Sequence, residues 1–254
     1  MSTFSSARYE YLLRLGDSAL ILSQRLGEWC GKGPALEEDM ALTNTALDLL
    51  GQARLWLSLA AEQAGNGADE DTLAFLRDDR ELRNLLLVEQ PNGSYADTLA
   101  RQFLFDAWSS LALRRLVSST DAAIAAIAEK AVKEVSYHLR RTSDLVVRLG
   151  DGTERSQTLL QAAIDKVWPY HHELFIGDAV DAEMVAAGIG FDPASLKDEW
   201  FAYVREVFAE ATLKVPATDG WMPKGGKQGL HSEHLSKLLA EMQILQRSHP
   251  GASW

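Results

Sequence analysis

The sequence predicts an all-α protein built around a bundle of long helices. Three observations point there. Leu, Ala, Glu, Arg and Lys are abundant while Pro is limited to seven; β-branched runs are scarce; and apolar residues recur at helical spacing through stretches of about 25 residues. With 254 residues and 46% hydrophobic side chains, the chain can fill a large core. No shift in composition marks a second domain. A single domain over 1–254 is therefore expected, with a core bundle at about 5–149 and accessory helices and a tail at about 150–254.

The first helix is predicted from Ser5 to Cys30, with Leu12, Leu15, Ala19, Leu22 and Leu26 on one face. Gly31-Lys-Gly-Pro34 ends it, and Glu37, Glu38 and Asp39 place negative charge at the start of the next. That second helix runs to about Ala64 and stops at Gly65-Asn-Gly67, so the two form an antiparallel pair. A less regular stretch follows, with a short helix around Glu70 to Leu76 and an exit turn at Gln90-Pro-Asn-Gly93. Ser94 is placed to cap a third long helix, Tyr95 to about Ser118, and a fourth runs from Ala122 to about Leu149. The connection between the second and third helices is the long one, which separates a ferritin-like four-helix bundle from an up-and-down one.

A fifth helix through Leu159, Ile164 and Val167 is expected to end or kink at Pro169. Shorter helices follow at Asp181 to Ala187 and Pro193 to Leu213, the latter opened by Asp192 as N-cap. Val215 to Gly229 is a loop rich in Pro, Gly and Lys, and the last helix spans His231 to Arg247.

A formal charge of -11 argues against nucleic-acid partners, which bind through phosphate neutralisation. Residues Met1 to Arg8 lack the pattern of a secretion signal, and no apolar run approaches the ~20 residues that span a bilayer. Neither a membrane nor export is expected, and the chain is placed in the cytoplasm. The single cysteine, Cys30, rules out an internal disulfide and reads as a small core side chain.

The polar residues inside the predicted bundle carry the functional question. Asp17 lies in the first helix, Asp48 and Gln52 in the second, Asp106 in the third, and Glu134 and His138 in the fourth. A carboxylate-bridged di-metal site takes one Glu from each of two helices and a Glu-x-x-His pair from each of the other two. At that spacing this chain offers Leu49 with Gln52 and Val135 with His138. Both Glu positions are apolar and one His is an amide, so the set reads as a degenerate di-iron site with no metal bound. Asp17, Asp48, Asp106 and Glu134 then remain as a residual polar cluster, held by an Arg or Lys on a facing helix. The competing reading is a self-contained ferritin-like metalloenzyme or metal-binding protein using Asp48, Gln52, Glu134 and His138; a third is a helical binding or storage protein.

His171-His172-Glu173 and His231-Ser-Glu-His234 are expected to make polar surface or interface contacts: adjacent residues of the first point to different helix faces, and the second finds no other cluster to complete a tetrahedral metal site. No phosphate loop, nucleophile elbow or zinc motif is present. The tail is locally basic, with Lys214, Lys224, Lys227 and Lys237, and it carries Trp221, Met222 and Trp254. Either it folds back over its own tryptophans or it offers a partner surface, and its lysines suit the phosphates of a nucleotide-tailed substrate.

The runs Arg14-Leu-Gly-Asp17, Leu22-Ser-Gln-Arg-Leu-Gly-Glu-Trp-Cys-Gly31, Leu47-Asp-Leu-Leu-Gly-Gln-Ala-Arg54, Asn84-Leu-Leu-Leu-Val-Glu-Gln-Pro-Asn-Gly93, Gly225-Gly-Lys-Gln-Gly-Leu-His231 and Leu239-Ala-Glu-Met-Gln243 are spread along the chain. Together they resemble the C-subunit family of bacterial phenylacetyl-CoA epoxidases. The resemblance implies a ferritin-like fold and a place in a multicomponent monooxygenase of aerobic phenylacetate degradation. In that family the di-iron centre and the phenylacetyl-CoA site belong to the A subunit. A reductase with flavin and iron-sulfur centres delivers electrons from NADPH, and O2 is used to epoxidise the ring at positions 1 and 2. The C-type member is a paralogue of A that has lost iron ligands and forms a core complex with it. Leu49, Gln52 and Val135 fall at the lost positions, while His138 survives. The resemblance thus implies a non-catalytic chain without a cofactor of its own, whose partners are the A subunit, the other epoxidase subunits and the reductase. It also makes Lys214, Lys224, Lys227 and Trp221 candidate contacts to a partner or to CoA.

Overall fold

The structure, a computed structural model, describes residues 3–252 except 219, with side chains from residue 7 onward. The described residues are helical with no strand. In chain order the helices are α1 (Thr3–Gly27), α2 (Leu36–Ala64), α3 (Glu70–Phe75), α4 (Tyr95–Leu116), α5 (Ala122–Gly150), α6 (Glu154–Val167), α7 (Ala179–Ala186), α8 (Lys197–Glu210), α9 (Glu233–Met242) and α10 (Ile244–Ser248). Two long helix pairs, α1 with α2 and α4 with α5, are the complement expected of a ferritin-like bundle.

The chain divides into two compact units, one holding residues up to Pro91 together with those from Gly225, the other Asn92–Lys224. In the first unit α1 and α2 lie against each other over most of their length. Gly16 permits the approach, since a Cβ there would come within 2.7 Å of Leu57. Ser23 Oγ donates to the Ala46 carbonyl across the pair at 2.8 Å. The Leu85–Val88 run is fully buried, although it forms turns rather than a helix. Gly226 sits beside it, where a Cβ would meet the Asn84 carbonyl oxygen at 2.2 Å. The single terminal helix expected from His231 to Arg247 is capped by Ser232 and broken at Gln243, giving α9 and α10. Gln243 is buried, and its amide donates to the carbonyls of Ala74 at 3.1 Å and Arg77 at 3.0 Å, which turns the chain inward there.

In the second unit Ser94 caps α4 as the sequence predicts, and Asp97 returns the bond to the Ser94 amide at 2.7 Å. α6 stops before Pro169, and residues 168–175 continue as 3-10 turns. Asp192 caps a short 3-10 turn, Pro193–Leu196, rather than one continuous helix; α8 then ends at Glu210, before the Leu213 expected from sequence. There Thr212 adopts a left-handed φ of 56° and the Leu213 amide closes onto the Phe208 carbonyl at 2.8 Å.

The core of this unit is aromatic. Trp168, Trp200 and Phe208 are buried, and the Trp200 indole donates to the Leu104 carbonyl at 3.1 Å. His171, expected at the surface, is buried with its ring stacked on Trp200 at 5.5 Å. Burial holds its pKa below the ordinary histidine value. Cys30, expected in the core, is exposed in the turn that follows α1.

Candidate functional site

The two i, i+3 pairs occupy the inward faces of their helices. Leu49 and Gln52 are buried on α2, and Val135 and His138 are buried on α5. The neighbouring acids are rotated away by one residue, which is a turn of about 100°. Asp48 and Glu134 are only half-buried, and Glu134 approaches Lys130 on its own helix at 4.0 Å. Three residues before Gln52 and His138, these buried faces carry a leucine and a valine.

The residual acids differ in their surroundings. Asp106, fully buried on α4, accepts hydrogen bonds from the Gln102 amide at 2.7 Å and from the Thr142 hydroxyl on α5 at 3.1 Å. Burial pushes its pKa up to about 6, against the opposing pull of His138, of those two hydrogen bonds and of Arg141. Asp17 belongs to the other unit. Its carboxylate is held bidentately by Arg77, with Nη1 at 3.0 Å and Nη2 on the other oxygen, and it accepts the Arg83 amide at 2.8 Å. Arg77 comes from the irregular stretch after α3, not from a facing helix.

A di-iron centre needs several carboxylates and two imidazoles around a shared opening. Among the described residues no three His, Cys, Asp or Glu side chains come together as a metal site. His138 is the one imidazole at the pair positions, and both oxygens of Asp106 are engaged by side-chain donors. This donor set does not fit two irons.

A further buried acid is not among the residues singled out from the sequence. Glu89 is fully buried and accepts from the Ser232 amide at 2.6 Å, the Asn84 amide at 3.0 Å and His231 Nδ1 at 2.8 Å. His231 Nε2 faces the Leu82 carbonyl at 3.1 Å, so the residue expected at the surface instead ties the C-terminal segment down. Arg25 reaches the Glu89 carbonyl with Nε at 3.1 Å and Nη2 at 2.7 Å. The signal for this group was present as Asn84-x4-Glu89, but its partner lies 142 residues away.

The tail residues are distributed unevenly. Lys214 and Lys224 are exposed, and Trp221 is 73% exposed with an edge contact to Tyr170 at 6.4 Å. Lys227 is half-buried in the other unit, and Lys237 pairs with Glu233 at 3.5 Å. Met222 is half-buried beside a cavity of about 550 Å3 that His172, Lys197, Phe201 and Arg205 also line. Trp254 lies outside the described residues. Among the described residues no helix is long and apolar enough to cross a membrane.

Comparison with known proteins bears on this arrangement. A family described as "Phenylacetic acid catabolic protein" matches residues 2–254. The C subunit of 1,2-phenylacetyl-CoA epoxidase from Escherichia coli (strain K12) is 55% identical over 244 residues, covering 96% of this chain and 98% of that one. An all-helical chain matched over nearly its whole length in this way belongs to the phenylacetic acid catabolic protein family.

Proposed function

We propose that this chain is a non-catalytic subunit of a phenylacetyl-CoA 1,2-epoxidase, forming a core complex with a di-iron catalytic A-type subunit. One observation supports the reading: Leu49 and Val135 are buried three residues before buried Gln52 and His138, the spacing at which a Glu-x-x-His pair would carry its carboxylate. The Escherichia coli relative, itself a C-type epoxidase component by name, supports it. Without those carboxylates the pair positions offer a metal no charged ligand, and buried Asp17 and Asp106 accept hydrogen bonds from protein donors. The iron, and the reductase's NADPH, flavin and iron-sulfur chemistry, are assigned to the other components of the complex. The role of this chain is to stabilise the catalytic subunit and help to shape its CoA-ester site, for which exposed Lys214, Lys224 and Trp221 are candidate contacts.

The test is purification of the chain from iron-rich medium, first expressed alone and then together with the A-type subunit. Sub-stoichiometric iron alone, with a stable complex on co-expression, is the expected pair of results. His138→Ala is expected to lower the melting temperature without changing metal content. Stoichiometric iron lost in that variant, or O2-dependent turnover by the isolated chain, would overturn the proposal.

A further inference from the structure

Helix α2 carries a second face that the fold of its own unit does not use. Leu36, Met40, Leu47 and Leu50 are 72%, 57%, 60% and 41% exposed. Their spacings of four, seven and three residues put all of them on one stripe, with half-buried Thr43 filling the gap. From Leu36 to Leu50 the stripe is about 21 Å long at helical rise. Such a length of large apolar side chains in water marks a surface that is covered in the working protein.

The stripe continues into a groove between α2 and α3. This groove, of about 590 Å3, is lined by Leu47, Leu50, Gly51, Leu57 and Phe75, with Glu70 and Asp71 at its edge. At Gly51 a Cβ would meet nothing within 4 Å, so the groove has room there for an inserted side chain.

Charge decides what fits. Helical spacing puts exposed Glu37 along one flank of the stripe, and exposed Asp71 stands on the groove side. The basic group in the groove, Arg54, is engaged by Glu70 at 3.1 Å. A second copy of this chain would set acidic flanks against acidic flanks, which is unfavourable. We infer that the α2 stripe and the α2–α3 groove seat an amphipathic helix of another subunit, one with large apolar side chains toward α2 and Lys or Arg along both edges. The inference rests on the reading of this chain as a subunit, and it names the face that subunit uses.

The experiment co-expresses this chain with the A-type subunit and measures the dissociation constant of the purified pair. Leu47→Glu/Leu50→Glu is expected to weaken it at least about tenfold. Because both side chains project into water, helicity and melting temperature of the isolated variant should match the parent. Glu37→Lys/Asp71→Lys is expected to weaken the pair and flatten its dependence on NaCl. If the parent assembles and both double variants assemble equally well, the docking face is wrong and the subunit reading stands. Failure of the parent itself to assemble removes both. A dimer of the isolated chain that Leu47→Glu/Leu50→Glu dissolves would replace the proposed occupant with a second copy.

Discussion

Asp17 and Asp106 are both fully buried carboxylates, yet their surroundings treat the charge in opposite ways. Asp17 meets a guanidinium and a backbone amide, which compensate the charge it carries. Asp106 meets an amide and a hydroxyl, and for it desolvation prevails, lifting its pKa to about 6. A folded-state pKa above the unfolded value of 3.8 means that folding favours the protonated acid. The stabilisation is full below the unfolded pKa and disappears as pH rises through about 6. At pH 7.5 the buried charge therefore costs on the order of 2–3 kcal/mol. Asp106→Asn keeps an acceptor for Gln102 and removes the charge. It is expected to be more stable than the parent at pH 7.5, with the difference shrinking as the pH falls from 6 to 4. Urea unfolding of both proteins across that range checks it, and a constant difference would show that Asp106 does not titrate there.

The long helices were legible because their information is local: a 3.6-residue apolar period, Ser94 as a cap, and Gly65 as a stop. The burial of Leu49, Gln52, Val135 and His138 followed from the same periodicity, whereas Asp48 and Glu134, expected among the polar residues inside the bundle, are only half-buried. What pairs with what was not legible. Arg77 reaches Asp17 across 60 residues, and His231 reaches Glu89 across 142. Periodicity reports only neighbours on one helix, so Glu89 in an irregular segment carried no pattern. His171 misled for the same reason, because its burial depends on Trp200 from α8. The Glu89 node shows what such long contacts do for an element. His231 spans the node, with Nδ1 against the Glu89 carboxylate at 2.8 Å and Nε2 against the Leu82 carbonyl at 3.1 Å. Glu89→Ala would leave the Ser232 and Asn84 amides and His231 Nδ1 without their shared acceptor. Amide exchange in α9 is expected to accelerate by about ten- to a hundredfold, as a loss of 1.5–3 kcal/mol implies. Exchange in α4 and α5 should remain as in the parent, and uniform acceleration would assign Glu89 to global stability instead.

At the level of the whole chain, the first unit is discontinuous: it is left at Pro91 and rejoined at Gly225. Its last segment is held by non-covalent contacts with residues 74–89. Gln243 donates to Ala74 and Arg77, Arg247 donates to the Arg77 carbonyl and to Asp78, both at 2.9 Å, and Ser232 and His231 bind Glu89. Leu235, Leu238 and Leu239 of α9 are buried as well. The peptide link before Gly225 thus contributes little beyond keeping the segment nearby. Lys214 and Lys224 are exposed on either side of exposed Trp221, which makes these lysines the place where trypsin should cut first. A single nick there is expected to leave the C-terminal fragment bound through size-exclusion chromatography, and to release it only in denaturant. The same nick in Glu89→Ala should release the fragment in native buffer. Retention in both would mean that buried leucines alone hold the segment, whereas release from the parent would show that covalent continuity is needed to complete the unit.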